Sequence, residues 1–170
     1  MSIPILTTGR LILRPPVAED AQAIAGILNI WEVTRWLTVV PFPYGRVDAE
    51  EYLDRRLKSS NEPYWVIEIS GETMGAISLS PDLGFFLAPS AHGNGYMTQA
   101  ACAVLDWRFS LSDEDVVSGY LVGNDASSRV QQKLGFQRTH EEVVRQVSTG
   151  KSVTVIKTAL AKPEWKGRDV

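Results

Sequence analysis

Apolar and polar residues change period several times along the chain, and those changes divide it into elements. "RLILR" (Arg10 to Arg14) alternates charge with Leu and Ile at period two before "PP" stops it, which predicts a first strand. "VAEDAQAIAGILN" shifts to helical spacing, with Ala21, Ile24, Ile27 and Leu28 on one face and Glu19 and Asp20 where the helix dipole favours anions. A short helical piece follows around Trp31 to Leu37, and "VVPFPYG" (Val39 to Gly45) reads as a loop. Asp48 can cap a helix through "AEEYLDRRLKS", where Tyr52, Leu53 and Leu57 form the apolar stripe and Glu51 and Arg55 can pair at i,i+4.

Period two then returns. "YWVIEI" (Tyr64 to Ile69) and "TMGAISLS" (Thr73 to Ser80) flank "SGE", a tight turn at Gly71, and predict a β-hairpin. "LGFFLAP" continues as a strand that ends at Pro89, and "HGNGYMTQA" (His92 to Ala100) leads into a helix over Thr98 to Ser112 with Ala101, Val104, Leu105 and Phe109 on one face. "VVSGYLV" (Val116 to Val122) is a buried-looking strand, and "ASSRVQQKLG" is a short helix stopped by Gly135. "FQRTHEEVVRQV" and "SVTVIKTAL" form a last hairpin around "STGK", and the tail is polar apart from Trp165. Early helices, a central antiparallel meander and one strand-loop-helix-strand unit indicate an α+β fold. One right-handed crossover should link two parallel strands.

Composition narrows the function. A chain of 170 residues, 44% hydrophobic, suits one buried core, so a single domain over residues 1–170 is expected. A net charge of −3 with both signs well mixed offers no basic field for nucleic acid or anionic membrane. One cysteine, Cys102, cannot make an internal disulfide and reads as core packing. His92 and His140 lack partners at metal-ligand spacing, so no metal is expected. The opening "MSIPILTTGRLILR" fits neither a signal peptide nor a membrane span, which points to the cytoplasm.

The glycine loop carries the candidate chemistry. A Gly-rich turn between a strand and a helix N-terminus presents unpaired N–H groups to an anion, and Thr98 can bond a phosphate oxygen or cap its own helix. A ligand-free βα turn explains the same glycines. A dinucleotide fingerprint would need glycine where Thr98 stands, and a Walker A loop would need Gly-Lys-Ser/Thr, which "GNGYMT" lacks.

The run "LGFFLAPSAHGNGYMTQA" resembles motif A of the GNAT N-acetyltransferase superfamily, with His92, Gly93, Asn94, Gly95, Tyr96 and Met97 on the loop that binds the pyrophosphate of acyl-coenzyme A. "NDASSRVQQKLGF" resembles motif B, with Asn124, Ser127, Arg129, Lys133, Leu134, Gly135 and Phe136 at matching positions. "RLILRPPVAEDA" and "PEW" are similar to the ribosomal-protein N-terminal acetyltransferase (RimJ/RimL) branch, so the likeness covers nearly the whole chain. His92 departs from the usual Gln or Arg, Met97 from a small residue, Gln99 from Glu and "GFF" from Gly-Tyr-Trp, while "LSPDL" is a short connection. None of these changes removes a backbone donor.

The resemblance implies a mostly antiparallel twisted sheet of about seven strands, flanked by helices, with strands 4 and 5 (Leu83 to Leu87, Val116 to Val122) parallel and splayed around acetyl-coenzyme A as co-substrate. It implies that main-chain N–H near Phe86 or Leu87 polarises the thioester, that Asn124 bonds the pantetheine arm and that Ser127 protonates the leaving sulfur. Asp82 and Tyr120 are the candidates for accepting the amine's proton, and His140 reads as a partly buried sheet residue. Trp31, Trp36, Phe42 and Tyr44 would line the pocket of the acceptor, a small-molecule amine or peptide N-terminus, on a monomer or homodimer. The rival expectation is a non-catalytic acyl-coenzyme A binding or sensing module.

Overall fold

The computed structural model describes residues 3–58 and 62–167. Its strands are β1 (Leu6–Thr7), β2 (Ile12–Arg14), β3 (Tyr64–Ile69), β4 (Glu72–Leu79), β5 (Leu83–Leu87), β6 (Val116–Leu121), β7 (Gln137–Arg145) and β8 (Ser152–Leu160). They form one sheet in the order β1-β2-β3-β4-β5-β6-β8-β7. Every neighbouring pair is antiparallel except β5 and β6, and that exception is the crossover the sequence pattern predicts. The eighth strand is the two-residue β1, which folds back so that Leu6 faces Leu13 and Thr7 faces Ile12. β2 begins at Ile12 rather than Arg10, because Arg10 turns away to reach the glycine loop.

Local chemistry explains the junctions. Ser70 and Gly71, at φ 53° and 84°, form a two-residue loop with both central residues at positive φ, whose twist suits the β3/β4 hairpin. The helices are α1 (Asp20–Leu28), α2 (Trp31–Thr34), α3 (Arg46–Lys58), α4 (Tyr96–Leu111) and α5 (Asp125–Leu134). α3 starts two residues before Asp48, whose carboxylate reaches back to the Gly45 N–H at 2.8 Å from the helix's first turn. Its described i,i+4 ion pairs are Arg46–Glu50 and Lys58–Asp54, so surface pairing is shifted from the expected Glu51 and Arg55. Ser59, where this helix was expected to end, and tail residues 168–170 lie outside the described residues.

Alternation along β3 fills both sides of the sheet. Trp65 and Ile67 pack with Ala101, Val104 and Leu105 of α4, and Tyr64 and Val66 pack with Ile24 of α1 and Leu53 of α3. The two buried layers hold the centre of the sheet rigid while β5 and β6 diverge at one end.

Candidate functional site

β5 and β6 begin in contact and then part. Among the described residues their register gives one pair, Leu83 opposite Ser118, locked by the Ser118 hydroxyl donating to the Leu83 carbonyl at 2.8 Å. Beyond it β5 follows β4 as far as Gly75 opposite Leu87, and β6 follows β8 as far as Leu121 opposite Val155. A gap therefore opens towards the C-terminal ends of both strands. The Leu83 carbonyl faces β6 and the Ala88 N–H donates to Met74 of β4 at 2.8 Å. Strand alternation then aims the main-chain groups of Phe85 and Leu87 into the gap and those of Phe86 at β4. Of the two expected thioester donors, Leu87 has the matching direction and Phe86 does not. A Cβ added to Gly75 would lie 2.2 Å from the Phe86 oxygen, a backbone clash. Gly75→Ala is thus expected to lower stability by about 1–3 kcal/mol and to disturb the gap's β5 wall, which thermal unfolding would register.

The glycine loop stands at the end of this gap. A short 3₁₀ turn, Pro89–Ala91, leads into His92, and Gly93 and Gly95 adopt φ of 78° and 75°. A Cβ at Gly93 would meet nothing within 4 Å, and one at Gly95 would meet only the Arg10 guanidinium at 3.7 Å, so the space above the loop is open. Gly95 is the N-cap of the 16-residue α4 and supplies no side-chain cap. The helix's first N–H groups and its dipole are available to an anion. The His92 ring does not project there: its Nε2 lies 3.0 Å from the Leu87 carbonyl, which can only accept, so that nitrogen carries the proton. The Asn94 amide donates to the His92 carbonyl at 3.0 Å, while Met97 and Thr98 are buried in the first turn of α4. Arg10 supplies a cation that motif reading missed. It donates to the Asn94 carbonyl at 2.9 Å and to Gln99 at 3.3 Å, with its guanidinium 4.8 Å from the Tyr96 ring centre.

The other flank is the start of α5. Gly123, at φ 90°, turns the chain out of β6, and Asn124 caps α5 by accepting the Ser127 N–H at 3.2 Å. Ser127 is half-buried, and its hydroxyl accepts from Gln131 at 3.3 Å. Arg129 is exposed. Tyr120 stands two residues beyond Ser118, on the same face of β6 and towards the open end. Asp82 precedes β5 at the closed end and is ion-paired with Lys157. His140, read from sequence as partly buried, is exposed on the edge strand β7, with β8 between it and β6.

The four aromatic candidates separate. A Cβ on Gly123 would lie 3.8 Å from the Trp36 ring, which places that indole against the β6–α5 turn, and Arg35 stacks 4.8 Å from its centre. The Gln146 amide, buried at the end of β7, donates to the carbonyls of Arg35 at 2.8 Å and Leu37 at 3.1 Å and so holds this segment in place. Tyr44 belongs to the core beneath α1 and α3, and burial pushes its phenol up to about 12. Trp31 and Phe42 contact each other at 5.1 Å, each about one-third exposed. Trp36 alone of the four has a described contact with the turn at the gap.

The arrangement can hold an extended molecule with an anionic end: N–H groups for the anion, a strand edge for its amides and a hydroxyl beside the opposite wall. Among the described residues no group of three or more His, Cys, Asp or Glu could hold a metal ion. No described helix is long and apolar enough to cross a membrane.

The acetyltransferase (GNAT) domain family matches residues 10–137. An uncharacterised N-acetyltransferase of Bacillus subtilis, YoaA, is 29% identical over 84% of this chain and 87% of its own length. A spermidine N(1)-acetyltransferase of Escherichia coli is 24% identical over 73% and 71%. Among solved structures, the ribosomal L7/L12 α-N-protein acetyltransferase RimL superposes with a TM-score of 0.81 at 18% identity, covering 93% and 94% of the two chains. The microcin C7 self-immunity acetyltransferase MccE, in complex with acetyl-coenzyme A and AMP, gives 0.80 at 14% over 91% and 93%.

Proposed function

The chain belongs to the GNAT acetyltransferase family, and we propose that it transfers an acetyl group from acetyl-coenzyme A directly to a primary amine borne next to an apolar group, as at a peptide N-terminus. The observation that carries this reading is the parting of β5 and β6 after Leu83 and Ser118, with the open glycine loop on one flank and Ser127 on the other. The loop N–H groups and Arg10 receive the pyrophosphate, and the gap-facing edge of β5 lies along the pantetheine arm. The acetyl-coenzyme A bound to MccE supports the same donor here.

In the reaction the Leu87 N–H polarises the thioester carbonyl. The amine nitrogen attacks, its surplus proton leaves through water towards Tyr120, and Ser127 protonates the departing sulfur. Asp82 is a weaker candidate for that relay, because it lies at the closed end and is held by Lys157. The stretch "RLILRPPVAEDA" supports the N-terminal acetyltransferase branch. At the acceptor's entrance Trp36 offers an apolar face and Arg35 a positive charge, a combination that disfavours a polycation such as spermidine. The binding-only alternative finds no support in a family described as acetyltransferases.

The direct test is thiol release from acetyl-coenzyme A across a panel of N-terminal peptides and small amines. Release with none of them would remove the catalytic reading. With the best acceptor, Trp36→Ala should raise the amine KM about tenfold, equivalent to roughly 1.4 kcal/mol, with acetyl-coenzyme A affinity within about twofold. Trp36 is only partly buried, so its truncation should cost less than the roughly 3–5 kcal/mol of a fully buried tryptophan. A large fall in melting temperature with an unaltered amine KM would return Trp36 to a packing role.

A further inference from the structure

Gln131 lies on α5 one turn beyond Ser127, so the two share a helix face. Only 1% of it is exposed, and a buried primary amide has to satisfy both ends. Its nitrogen is 3.0 Å from the Gly119 carbonyl and 3.3 Å from the Ser127 hydroxyl, and its oxygen is 2.7 Å from the Thr158 hydroxyl. The Gly119 carbonyl can only accept, which fixes the amide's orientation: NH₂ towards Gly119 and Ser127, oxygen towards Thr158. Both amide protons are then spent, one on each acceptor. Ser127 therefore receives a hydrogen bond from Gln131 and cannot return one.

We infer that Gln131 is a positioning residue that fixes Ser127 as an acceptor on its inner side, so that the Ser127 proton points away from the helix and towards the gap between β5 and β6. This rests on the reading of Ser127 as proton donor given above. In the step it serves, the C–N bond forms, the C–S bond breaks and its electron pair leaves on sulfur. Sulfur takes the Ser127 proton, and Ser127 is reprotonated through solvent by the proton that the amine nitrogen sheds. Gln131 touches neither substrate. It removes the rotamer in which the hydroxyl proton is directed inwards.

The test compares Ser127→Ala, Gln131→Met and the double variant, with Thr158→Val as control, by steady-state kinetics and thermal unfolding. Ser127→Ala should lower kcat about a hundredfold, the lower end of general-acid catalysis. Gln131→Met should lower kcat about tenfold with the KM for acetyl-coenzyme A nearly unchanged, and the double variant should be no slower than Ser127→Ala, because residues acting as a unit are not additive. Thr158→Val strands the amide oxygen but leaves both donated bonds, so it should lower the melting temperature and leave kcat within about twofold. Effects that multiply in the double variant, an unchanged kcat in Gln131→Met, or a kcat that merely tracks melting temperature in both Gln131→Met and Thr158→Val would overturn the proposal. An unchanged kcat in Ser127→Ala would instead remove the proton-donor reading, and this inference with it. If Gln131→Met does not fold, Gln131→Asn repeats the comparison with an amide one methylene shorter, which cannot span Gly119 and Ser127 together.

Discussion

Gly95→Asp should fold but gain no thermal stability from acetyl-coenzyme A. A ligand that binds only the native state at a hundred times its Kd stabilises by about 2.7 kcal/mol, which for a chain of this size raises the melting temperature by roughly 5–10 °C. The substitution puts a carboxylate where the pyrophosphate would rest, at the uncapped N-terminus of α4 and within reach of Arg10. The helix dipole and the guanidinium would favour that carboxylate, so the variant carries its own competing anion. Its backbone cost is bounded, since Asp tolerates positive φ better than most residues and the strain of such a position is about 1–3 kcal/mol. Gly95→Ala separates charge from strain: it bears the same φ of 75° without the anion and should keep part of the shift. An undiminished shift in Gly95→Asp would mean that the phosphates bind elsewhere.

That loop was legible because its chemistry is local. A strand, two glycines and a helix start within a few residues limit what the backbone can do, and the structure has both glycines at positive φ with open space above them. The parting of β5 and β6 follows from a register between residues 35 positions apart, which local pattern does not encode; only the resemblance to GNAT enzymes implied it. Arg10 was lost to the same limit. Its alternation with Leu11 and Ile12 fits a strand, yet its guanidinium is claimed by a carbonyl 84 positions away. Trp36 and Tyr44 look alike in "WEVTRWLTVVPFPYG", and only packing separates the one beside Gly123 from the one in the core. Gln131 hides for the opposite reason: within "QQKL" it reads as surface, and its burial becomes visible only once Gly119 and Thr158 are brought beneath it.

Asp20→Ala should be among the most destabilising single changes in the protein. Arg14 and Asp20, six residues apart in "RLILRPPVAED", meet through two bonds of 2.8 Å, and the carboxylate also accepts from the Val17 N–H at 2.8 Å and the Thr73 hydroxyl at 2.7 Å. This cluster ties β2 and β4 to the start of α1. The Asp20 side chain is 4% exposed, and removing one partner of a buried pair costs about 3–5 kcal/mol because the other charge is left uncompensated. Glu68 still faces Arg14 at 2.9 Å, which favours the lower end, about 3 kcal/mol or a fall of roughly 6–12 °C in melting temperature. Burial alone would raise the Asp20 pKa, but the bonds from Arg14, Val17 and Thr73 outweigh it and hold the group below its ordinary value. A lowered folded pKa means that this stability is fully present above the unfolded value of about 3.9 and is lost as the pH falls below it, through the folded value. Asp20→Ala should therefore flatten the acid limb of a plot of stability against pH as well as lower its plateau. Because the two residues are in contact, Arg14→Leu combined with Asp20→Ala should cost clearly less than the sum of the single changes. Strictly additive losses with an unchanged acid limb would show that the pair is not what holds α1 to the sheet.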